Sequence, residues 1–406
     1  MAAQTLNTSP GSASVEHGEM QPARWGGVFA MTLCVFALIA SEFMPVSLLT
    51  PIASDLNITE GLAGQGIAIS GVFAVLMSLS ISAVAGRINR KTLLLSLTVM
   101  MCLSGVIVAL APNYLTYMAG RALLGLVVGG FWSLSAATAM QLVPADQVPR
   151  ALAIFNGGNA LATVIAAPLG SYLGSIIGWR GAFFCLVPIA LIAVVWQWFS
   201  LPSMEAKPRA PGSGNVFRLF KSRLVTLGML AVGVFFMGQF ALFTYLRPFL
   251  ETATEVDVST LSLILLTLGV AGFIGTTVIG RFLKMGFYGT LTIIPLVMAA
   301  IALTLIAMGA SVTTVAVLLG VWGLVATAAP VGWWVWVAKT LPHNAEAGGG
   351  LMVAVIQLSI ALGSTLGGVL FDRSGYQSTF AFSAGLLLVG ALLVFLTARA
   401  DRAQSA

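Results

Sequence analysis

Charged residues are scarce in this sequence. Asp, Glu, Lys and Arg make up 8% of its 406 residues, whereas a soluble globular domain carries roughly 25%. Residues with hydrophobic side chains make up 58%. So little charge excludes a soluble domain and predicts a multi-pass protein embedded in a lipid bilayer.

Metal-ligating and nucleophilic residues are also few. The three cysteines, Cys34, Cys102 and Cys185, stand in separate apolar runs without metal-ligand spacing, and the two histidines lie in polar segments. The Gly-x-x-x-x-Gly-Lys-Ser/Thr loop, which ATP-driven pumps use to hold phosphates, does not occur. We therefore expect no enzyme, no metal site and no catalytic residues.

Apolar runs long enough to cross a bilayer recur along the chain. A spanning helix needs about 20 mostly apolar residues, and twelve such runs can be marked. The predicted spans are 26–50, 64–85, 92–110, 114–142, 151–177, 182–201, 224–246, 259–280, 290–309, 313–337, 348–371 and 379–398. They predict an all-α membrane protein with six helices in each half.

These spans divide the chain into five segments. The predicted segments are a disordered cytoplasmic tail at 1–25, a six-helix bundle at 26–201, a cytoplasmic linker at 202–222, a second six-helix bundle at 223–398 and a cytoplasmic tail at 399–406. The linker is the one long polar connector, and its Pro, Gly and charged residues are typical of a loop.

The basic residues indicate the orientation in the membrane. With the N-terminus inside, only Arg180, Arg247 and Arg373 fall in outer loops, while the other loop Lys and Arg residues fall inside. This bias predicts that both termini are cytoplasmic. It also explains the net charge of +6 without a nucleic-acid partner.

The two halves of the sequence repeat each other. At an offset of 197 residues, Pro51 matches Pro248, Gly170 matches Gly367 and Gly178 matches Gly375. Two parallel repeats related by an axis along the membrane normal are a transporter arrangement, with a binding site between them at the midplane. The same offset matches Glu42 with Gln239, so we expect these side chains at similar depth on facing helices.

Two residues within the predicted spans are fully ionisable, Glu42 and Arg121. Each costs a few kcal/mol in the middle of a helix exposed to lipid, so we expect the two side chains to face the protein interior and to pair. In one interpretation Glu42 takes up and releases a proton while Arg121 adjusts its proton affinity. In the other, the pair is a structural clamp. Pro45 is expected to kink the helix beside Glu42.

Several motifs resemble those of a known family. "GRALLGLVVGG", beginning at Gly120, and "AAPLGSYLGSIIGWR", beginning at Ala166, are similar to motifs of the drug:proton antiporters of the major facilitator superfamily. "EFMPVSLLTPIASDL" and "GQFALFTYLRP" resemble segments of the branch that exports purine ribonucleosides. The resemblance implies proton-coupled efflux through the bacterial inner membrane, with the proton as coupling ion and no other cofactor. The loop containing Arg87, Arg90 and Lys91 resembles the gating loop of the family.

A nucleoside requires aromatic surfaces for its base and neutral hydrogen-bonding groups for its edges and ribose. Candidate residues of these types lie in the middle of the predicted spans and share helix faces. They are Trp132, Asn156, Asn159, Gln239, Phe243, Trp333 and Gln357. Packing and interhelical hydrogen bonding are the alternative roles for the tryptophans and the amides.

Other functions remain open from the sequence. Close relatives of the same branch export sugars or hydrophobic drugs, which would change the cargo and leave the mechanism intact. A passive channel would make the ionisable pair structural, and a membrane enzyme lacks a catalytic cluster here. We expect a monomer that binds a small-molecule substrate, protons and lipid.

Overall fold

The computed structural model describes residues 23–85, 88–204, 216–341 and 345–405, and their regular secondary structure is helical. Two short 3₁₀ helices cover Ala145–Gln147 and Val216–Lys221. The α-helices are α1 Trp25–Leu56, α2 Glu60–Ala85, α3 Arg90–Ala109, α4 Tyr114–Leu142, α5 Val148–Phe184, α6 Leu186–Ser200, α7 Arg223–Phe243, α8 Leu246–Thr252, α9 Val258–Met285, α10 Phe287–Met308, α11 Val312–Ala326, α12 Ala329–Thr340 and α13 Ala345–Ser405.

Ten stretches of helix in the described ranges are long and apolar enough to cross a membrane. Two of them, Arg150–Ser200 and Ala347–Ala403, contain 51 and 57 residues, about twice the length that a single crossing requires. Each is interrupted by a glycine with positive φ, Gly178 at 74° and Gly375 at 76°. L-residues with a side chain rarely adopt this conformation, so glycine allows the chain to bend there.

The backbone repeats at the offset that the sequence predicts. The described residues contain two glycines and two other residues with positive φ. Gly178 and Gly375 are 197 residues apart, and Asn57 and Glu255, with φ of 52° and 54°, are 198 residues apart. Each unusual turn in the first half therefore has a counterpart in the second half.

Side chains in the connecting segments set where several helices begin. The side chains of Asn89, Asn113, Ser222, Asp257 and Ser311 each accept a hydrogen bond from a backbone N–H in the first turn of the following helix. Such caps satisfy N–H groups that have no partner within the helix. Hydrogen bonds from the side chain and backbone of Thr260 also hold the pKa of Asp257 below its usual value.

Buried apolar side chains form two clusters. The first draws its members from residues 28–204, with Tyr245 as its one buried member from the second half. The second draws on residues 224–394, joined by Val46, Ile67 and Ala167 from the first half. Val46, Ile67 and Ala167 belong to α1, α2 and α5, so these helices of the first half contact the second half.

The predicted segments outside the spans are described only in part. Residues 1–22 and 205–215, in the predicted tail and linker, lie outside the described residues. The other predicted tail, 399–406, is mostly helical, because α13 continues to Ser405. We call the end of the helices near Arg24 the proximal end, and the end near Asn57 the distal end. The proximal end is the side predicted to be cytoplasmic.

Candidate functional site

Glu42 lies near the middle of α1 and is buried, with 7% of its surface exposed. Its Oε1 atom accepts a hydrogen bond from Nε2 of Gln357, at 3.1 Å. Gln357 belongs to α13 and is also buried, so this bond connects the two halves of the chain. The offset of the repeat predicts Gln239 as the residue facing Glu42, but the observed partner is Gln357.

Arg121 does not pair with the Glu42 carboxylate, and that expectation was wrong. Its guanidinium donates to three backbone carbonyls: Nη1 to Ser41 at 2.7 Å, Nη2 to Glu42 at 3.2 Å and Nε to Gly66 at 3.0 Å. A planar guanidinium with five N–H donors can serve several acceptors at once. Arg121 is 1% exposed and ties α4 to α1 and α2.

Pro45 explains why one of these carbonyls is available. In an α-helix the carbonyl of Ser41 would accept from the N–H of residue 45, but proline has no N–H. Nη1 of Arg121 supplies the missing donor. The helices α4 and α2 also pack closely enough for Arg121 to reach its acceptors. Gly125 permits this packing, because a Cβ atom there would collide with the backbone oxygen of Ser70. The proline, predicted as a kink, therefore also creates the acceptor for Arg121.

A second arginine does the same at Pro51. The carbonyl of Ser47 lacks its helix donor because residue 51 is proline, and Nη1 of Arg247 donates to it. Nε of Arg247 also binds Oε1 of Glu251, at 2.7 Å. Sequence reasoning assigned Arg247 to an outer loop and missed this contact. The available signal was Pro51, which leaves the Ser47 carbonyl without a helix donor, together with the basic residue Arg247 in the other half.

A cleft with a volume of about 70 Å³ lies between the two halves. The first half contributes residues of α1 and α5, and the second half contributes residues of α7, α9 and α11 with the turn that follows α11. The lining residues are Phe43, Thr163, Ala167, Gln239, Phe240, Phe243, Leu265, Leu268, Trp322, Gly323, Ala326 and Thr327.

Three phenylalanine rings form one wall of the cleft. Phe43 of α1 stacks on Phe240 of α7 with ring centroids 6.0 Å apart, and it meets Phe243 edge-on at 6.4 Å. Phe240 and Phe243 are also in edge contact, at 5.8 Å. Rings from both halves therefore offer faces and edges to a flat apolar group.

Two amide oxygens near the interface between the halves have no partner. Oε1 of Gln239, in the cleft wall, and Oε1 of Gln357, beside Glu42, are buried without a hydrogen bond. A buried polar atom left unpaired costs about 1–3 kcal/mol. Such atoms in a cleft are acceptors available to a donor from a ligand or from water.

The two candidate tryptophans do not line the cleft. Trp333 is 2% exposed and packs edge-on against Trp336, with centroids 5.9 Å apart. Trp132 is half-buried and packs against the first apolar cluster. Trp322, one helix earlier than Trp333, lines the cleft instead. A continuous helix would place Trp322 and Trp333, eleven residues apart, on one face, but the break between α11 and α12 separates them.

The asparagine candidates of α5 contribute little to the cleft directly. Asn156 is exposed, and its Nδ2 donates to the carbonyl of Leu152 in the same helix. Asn159 is half-buried, and its backbone carbonyl accepts from the Thr163 hydroxyl at 2.9 Å. Thr163, four residues after Asn159 on the same helix, lines the cleft instead.

The basic loop between α2 and α3 is attached to its own half where it can be described. Arg87 lies outside the described residues. The backbone N–H of Arg90 donates to the carbonyl of Met204, and Nζ of Lys91 donates to the carbonyl of Trp198 at 2.7 Å. Both partners belong to the end of the first half. These contacts attach the start of α3 to the end of the first half.

The described ranges contain no group of three or more His, Cys, Asp or Glu residues arranged to hold a metal ion. The lining of the cleft is uncharged. Among the described residues, the candidate site thus combines an aromatic cleft, an unpaired amide and a buried carboxyl group close to the same interface.

A family model described as Major Facilitator Superfamily matches residues 31–364. The transcription regulatory protein OpdE of Pseudomonas aeruginosa is 66% identical over 382 residues, covering 93% of this chain and 95% of that protein. The purine ribonucleoside efflux pump NepI of Salmonella paratyphi B is 42% identical over 370 residues, covering 91% of this chain and 93% of the pump.

Solved structures show the same fold. A variant of the nucleoside transporter NupG superposes with a TM-score of 0.75 at 14% identity, covering 91% of this chain and 99% of that one. A bacterial homologue of the human lysosomal transporter Spinster, inward-facing and unoccupied, gives a TM-score of 0.74 at 16% identity and covers 94% of this chain and 98% of that one.

Proposed function

The chain belongs to the major facilitator superfamily, and we propose that it exports purine ribonucleosides such as inosine and guanosine in exchange for protons. The observation that carries this proposal is the cleft between the halves, with its three phenylalanine rings and the unpaired amide of Gln239. The 42% identity to a purine ribonucleoside efflux pump supports the same cargo.

The chemistry of the cleft suits a neutral molecule with a flat aromatic part. A purine base can stack on the rings of Phe43 and Phe243, and the Gln239 amide can both accept from and donate to its edge. The hydroxyl groups of Thr163 and Thr327 donate to their own helices, which leaves their oxygens as acceptors for ribose hydroxyls. The uncharged lining favours a nucleoside over a nucleotide or a cationic drug, since a buried charge needs a partner.

Glu42 is the group we propose for the proton. It lies buried on α1, one residue before Phe43 of the cleft wall, so a change in its charge occurs next to the bound substrate. Ionisable groups inside a membrane protein mark proton pathways and substrate sites. Arg121 then orders the backbone around Glu42, through the carbonyls of Ser41 and Glu42, and its positive charge lies near the carboxylate without a direct hydrogen bond to it.

The architecture we propose has twelve crossings in two six-helix bundles. Ten apolar stretches are present, and two of them are long enough for two crossings each, divided at Gly178 and Gly375. The two apolar clusters, one drawn mainly from each half of the chain, support a division into two bundles. An even number of crossings leaves both termini on the side rich in Lys and Arg, which we propose is the cytoplasm, with the protein a monomer in the bacterial inner membrane.

Transport by purified protein in liposomes tests this function. With an imposed pH gradient, labelled inosine should accumulate, and unlabelled guanosine should compete whereas arabinose or a cationic dye should not. Gln239→Leu should weaken the apparent affinity for inosine several-fold, the effect of losing about 1 kcal/mol of hydrogen bonding, with folding unchanged. Glu42→Gln should abolish accumulation while leaving downhill exchange of nucleosides. Competition by arabinose or the dye with no effect of guanosine would establish the alternative cargo.

The name of the 66% identical relative, a transcription regulatory protein, suggests a second role. A membrane transporter can alter transcription by lowering the cytoplasmic concentration of a small effector. In that case Glu42→Gln, correctly folded, should change transcription of the affected genes as strongly as deletion of the gene does. A regulatory effect that survives in Glu42→Gln would require a direct contact with another protein instead.

A further inference from the structure

Polar contacts between the halves are concentrated from the middle of the helices to the distal end. Five hydrogen bonds join described residues of the two halves, and three residues of α13 make four of them. Gln357 binds Glu42, Thr365 binds Oε1 of Gln65 at 3.0 Å, and the carboxylate of Asp372 accepts from residues at the start of α2. Their spacing of eight and seven residues puts them on one face of α13.

The contact at Asp372 closes the distal end. Its two carboxylate oxygens accept from the hydroxyl of Thr59 at 2.6 Å and from the backbone N–H of Gly61 at 2.9 Å. A Cβ atom at Gly61 would lie 2.7 Å from the carbonyl oxygen of Gly368, so α2 and α13 are in backbone contact there. We call the three contact residues of α13 (Gln357, Thr365 and Asp372) the row. Asp372 lies nearest to the distal end, and Gln357 lies nearest to the middle of the helices.

Gln357 is the member of this row whose partner can gain or lose a proton within the membrane. When Glu42 is ionised, the N–H of Gln357 donates to a carboxylate, and such charge-assisted bonds are roughly twice as strong as neutral ones. When Glu42 is protonated, the amide can still pair with the carboxyl group, but the bond is between neutral groups. The strength of this contact between the halves therefore depends on the proton.

Other charged or titratable groups of the helices packed against α1 do not replace this contact. Arg121 of α4 binds the backbone carbonyls of Ser41, Glu42 and Gly66. Tyr117, on the same helix, is buried with its hydroxyl unpaired, and Arg247 binds the Ser47 carbonyl and Glu251. The side-chain hydrogen bond on the Glu42 carboxylate comes from the second half.

We propose that Gln357 is a coupling residue: its hydrogen bond to ionised Glu42 keeps the distal end closed, and protonation of Glu42 releases it. This rests on the proposed role of Glu42 as proton carrier. It assigns Gln357 a different task from the substrate contact expected from the sequence. A carrier without proton or substrate is then held in one state, which prevents it from switching empty and dissipating the proton gradient.

A cysteine reporter at Ile67 can measure distal opening. Ile67 is on α2, is 3% exposed and packs in the apolar cluster of the second half, so it becomes accessible when the halves separate. The background should carry Cys185→Ser, because Cys185 is exposed whereas Cys34 and Cys102 are buried. Maleimide labelling of the purified protein in detergent needs neither substrate nor a defined orientation, and ratios between variants at one pH remove the pH dependence of the thiol itself.

Gln357→Met keeps the length of the side chain and removes the donor. At high pH it should raise the labelling rate roughly tenfold, and this ratio should approach one at low pH, where Glu42 is protonated. In a Glu42→Gln background it should change labelling less than about twofold at any pH. Thr365→Val is the matched control, because it removes a neutral contact of the same row and should alter labelling by the same factor at every pH.

A pH-independent effect of Gln357→Met, or an equal effect in the Glu42→Gln background, would overturn the proposal. If Gln357→Met does not fold, the parent protein gives the answer: labelling relative to Glu42→Gln must rise as the pH falls. Failure of the proposed cargo looks different. Purine transport would then be missing while the pH-dependent labelling persists, whereas failure of the coupling role leaves transport intact and labelling insensitive to Gln357.

Discussion

Arg121 and Arg247 solve the same problem at two places on α1, and they differ in the half of the chain from which they come. Each donates to a backbone carbonyl whose helix partner is missing because proline stands four residues later, Ser41 before Pro45 and Ser47 before Pro51. Arg121 reaches α1 from α4 of the same half. Arg247 reaches it from α8 of the other half.

The same interaction, an arginine bound to a carbonyl that proline has freed, can therefore stabilise one half or hold the two halves together. The bonds of Arg121 stay within one group of packed helices, so they fix the shape of α1 around Glu42. The bond of Arg247 crosses between the halves, so it must break if the halves separate at the distal end. We therefore expect Arg121 to affect mainly stability and Arg247 mainly the balance between closed and open states.

Arg121→Leu should have the largest effect. It removes three charge-assisted hydrogen bonds and leaves the Ser41, Glu42 and Gly66 carbonyls without this donor, so we expect the free energy of unfolding to fall by about 3 kcal/mol. Titration of the purified protein with a denaturing detergent would measure it. Adding Pro45→Ala should recover about 1 kcal/mol, because alanine restores the N–H that Ser41 lacks. A combined variant no more stable than Arg121→Leu would contradict this account of Pro45.

Arg247→Leu should have an intermediate effect. Only the Ser47 carbonyl and Glu251 lose a partner, so the loss of stability should be about 1–2 kcal/mol. The distinguishing result is opening: maleimide labelling of a cysteine at Ile67 should rise in Arg247→Leu and change much less in Arg121→Leu. Equal labelling of the two variants would mean that the half of origin does not matter.

The proline substitutions alone should have the smallest effect. In Pro45→Ala and Pro51→Ala the new N–H shares the carbonyl with an arginine that is still present, so we expect stability changes below about 1 kcal/mol. Pro51→Ala should nevertheless raise labelling at Ile67 slightly, since the Ser47 carbonyl no longer depends on the second half. Pro45→Ala is its control and should leave labelling unchanged.

Patterns that depend on neighbouring residues could be predicted well from the sequence. The long apolar runs correspond to the apolar helices, and the offset of 197 residues reappears in the positive φ angles of Gly178 and Gly375. Gln239 and Phe243, four residues apart on one face of α7, both line the cleft. Hydrophobic length and glycine conformation are local properties, and they do not depend on which helix lies opposite.

Partners across helices could not be predicted in the same way. Burial alone suggested that Glu42 and Arg121 pair with each other, but opposite charge does not specify geometry when backbone carbonyls, one of them freed by Pro45, compete for the guanidinium. Trp322 rather than Trp333 reaches the cleft because the helix is interrupted between α11 and α12. Pro330 in the first turn of α12 marks that interruption, but it does not specify which of the two tryptophans turns toward the cleft.

Composition and periodicity by themselves therefore determined that this is a helical membrane protein with an internal repeat and a buried carboxyl group. Its membership of a transporter family rests on motifs that are also local. Only the tertiary structure decided that Gln357 faces Glu42 and that Arg247 crosses to α1. The physical reason is that hydrogen bonds between residues 200 to 315 positions apart depend on helix rotation and depth, which packing of the whole chain sets and no short stretch encodes.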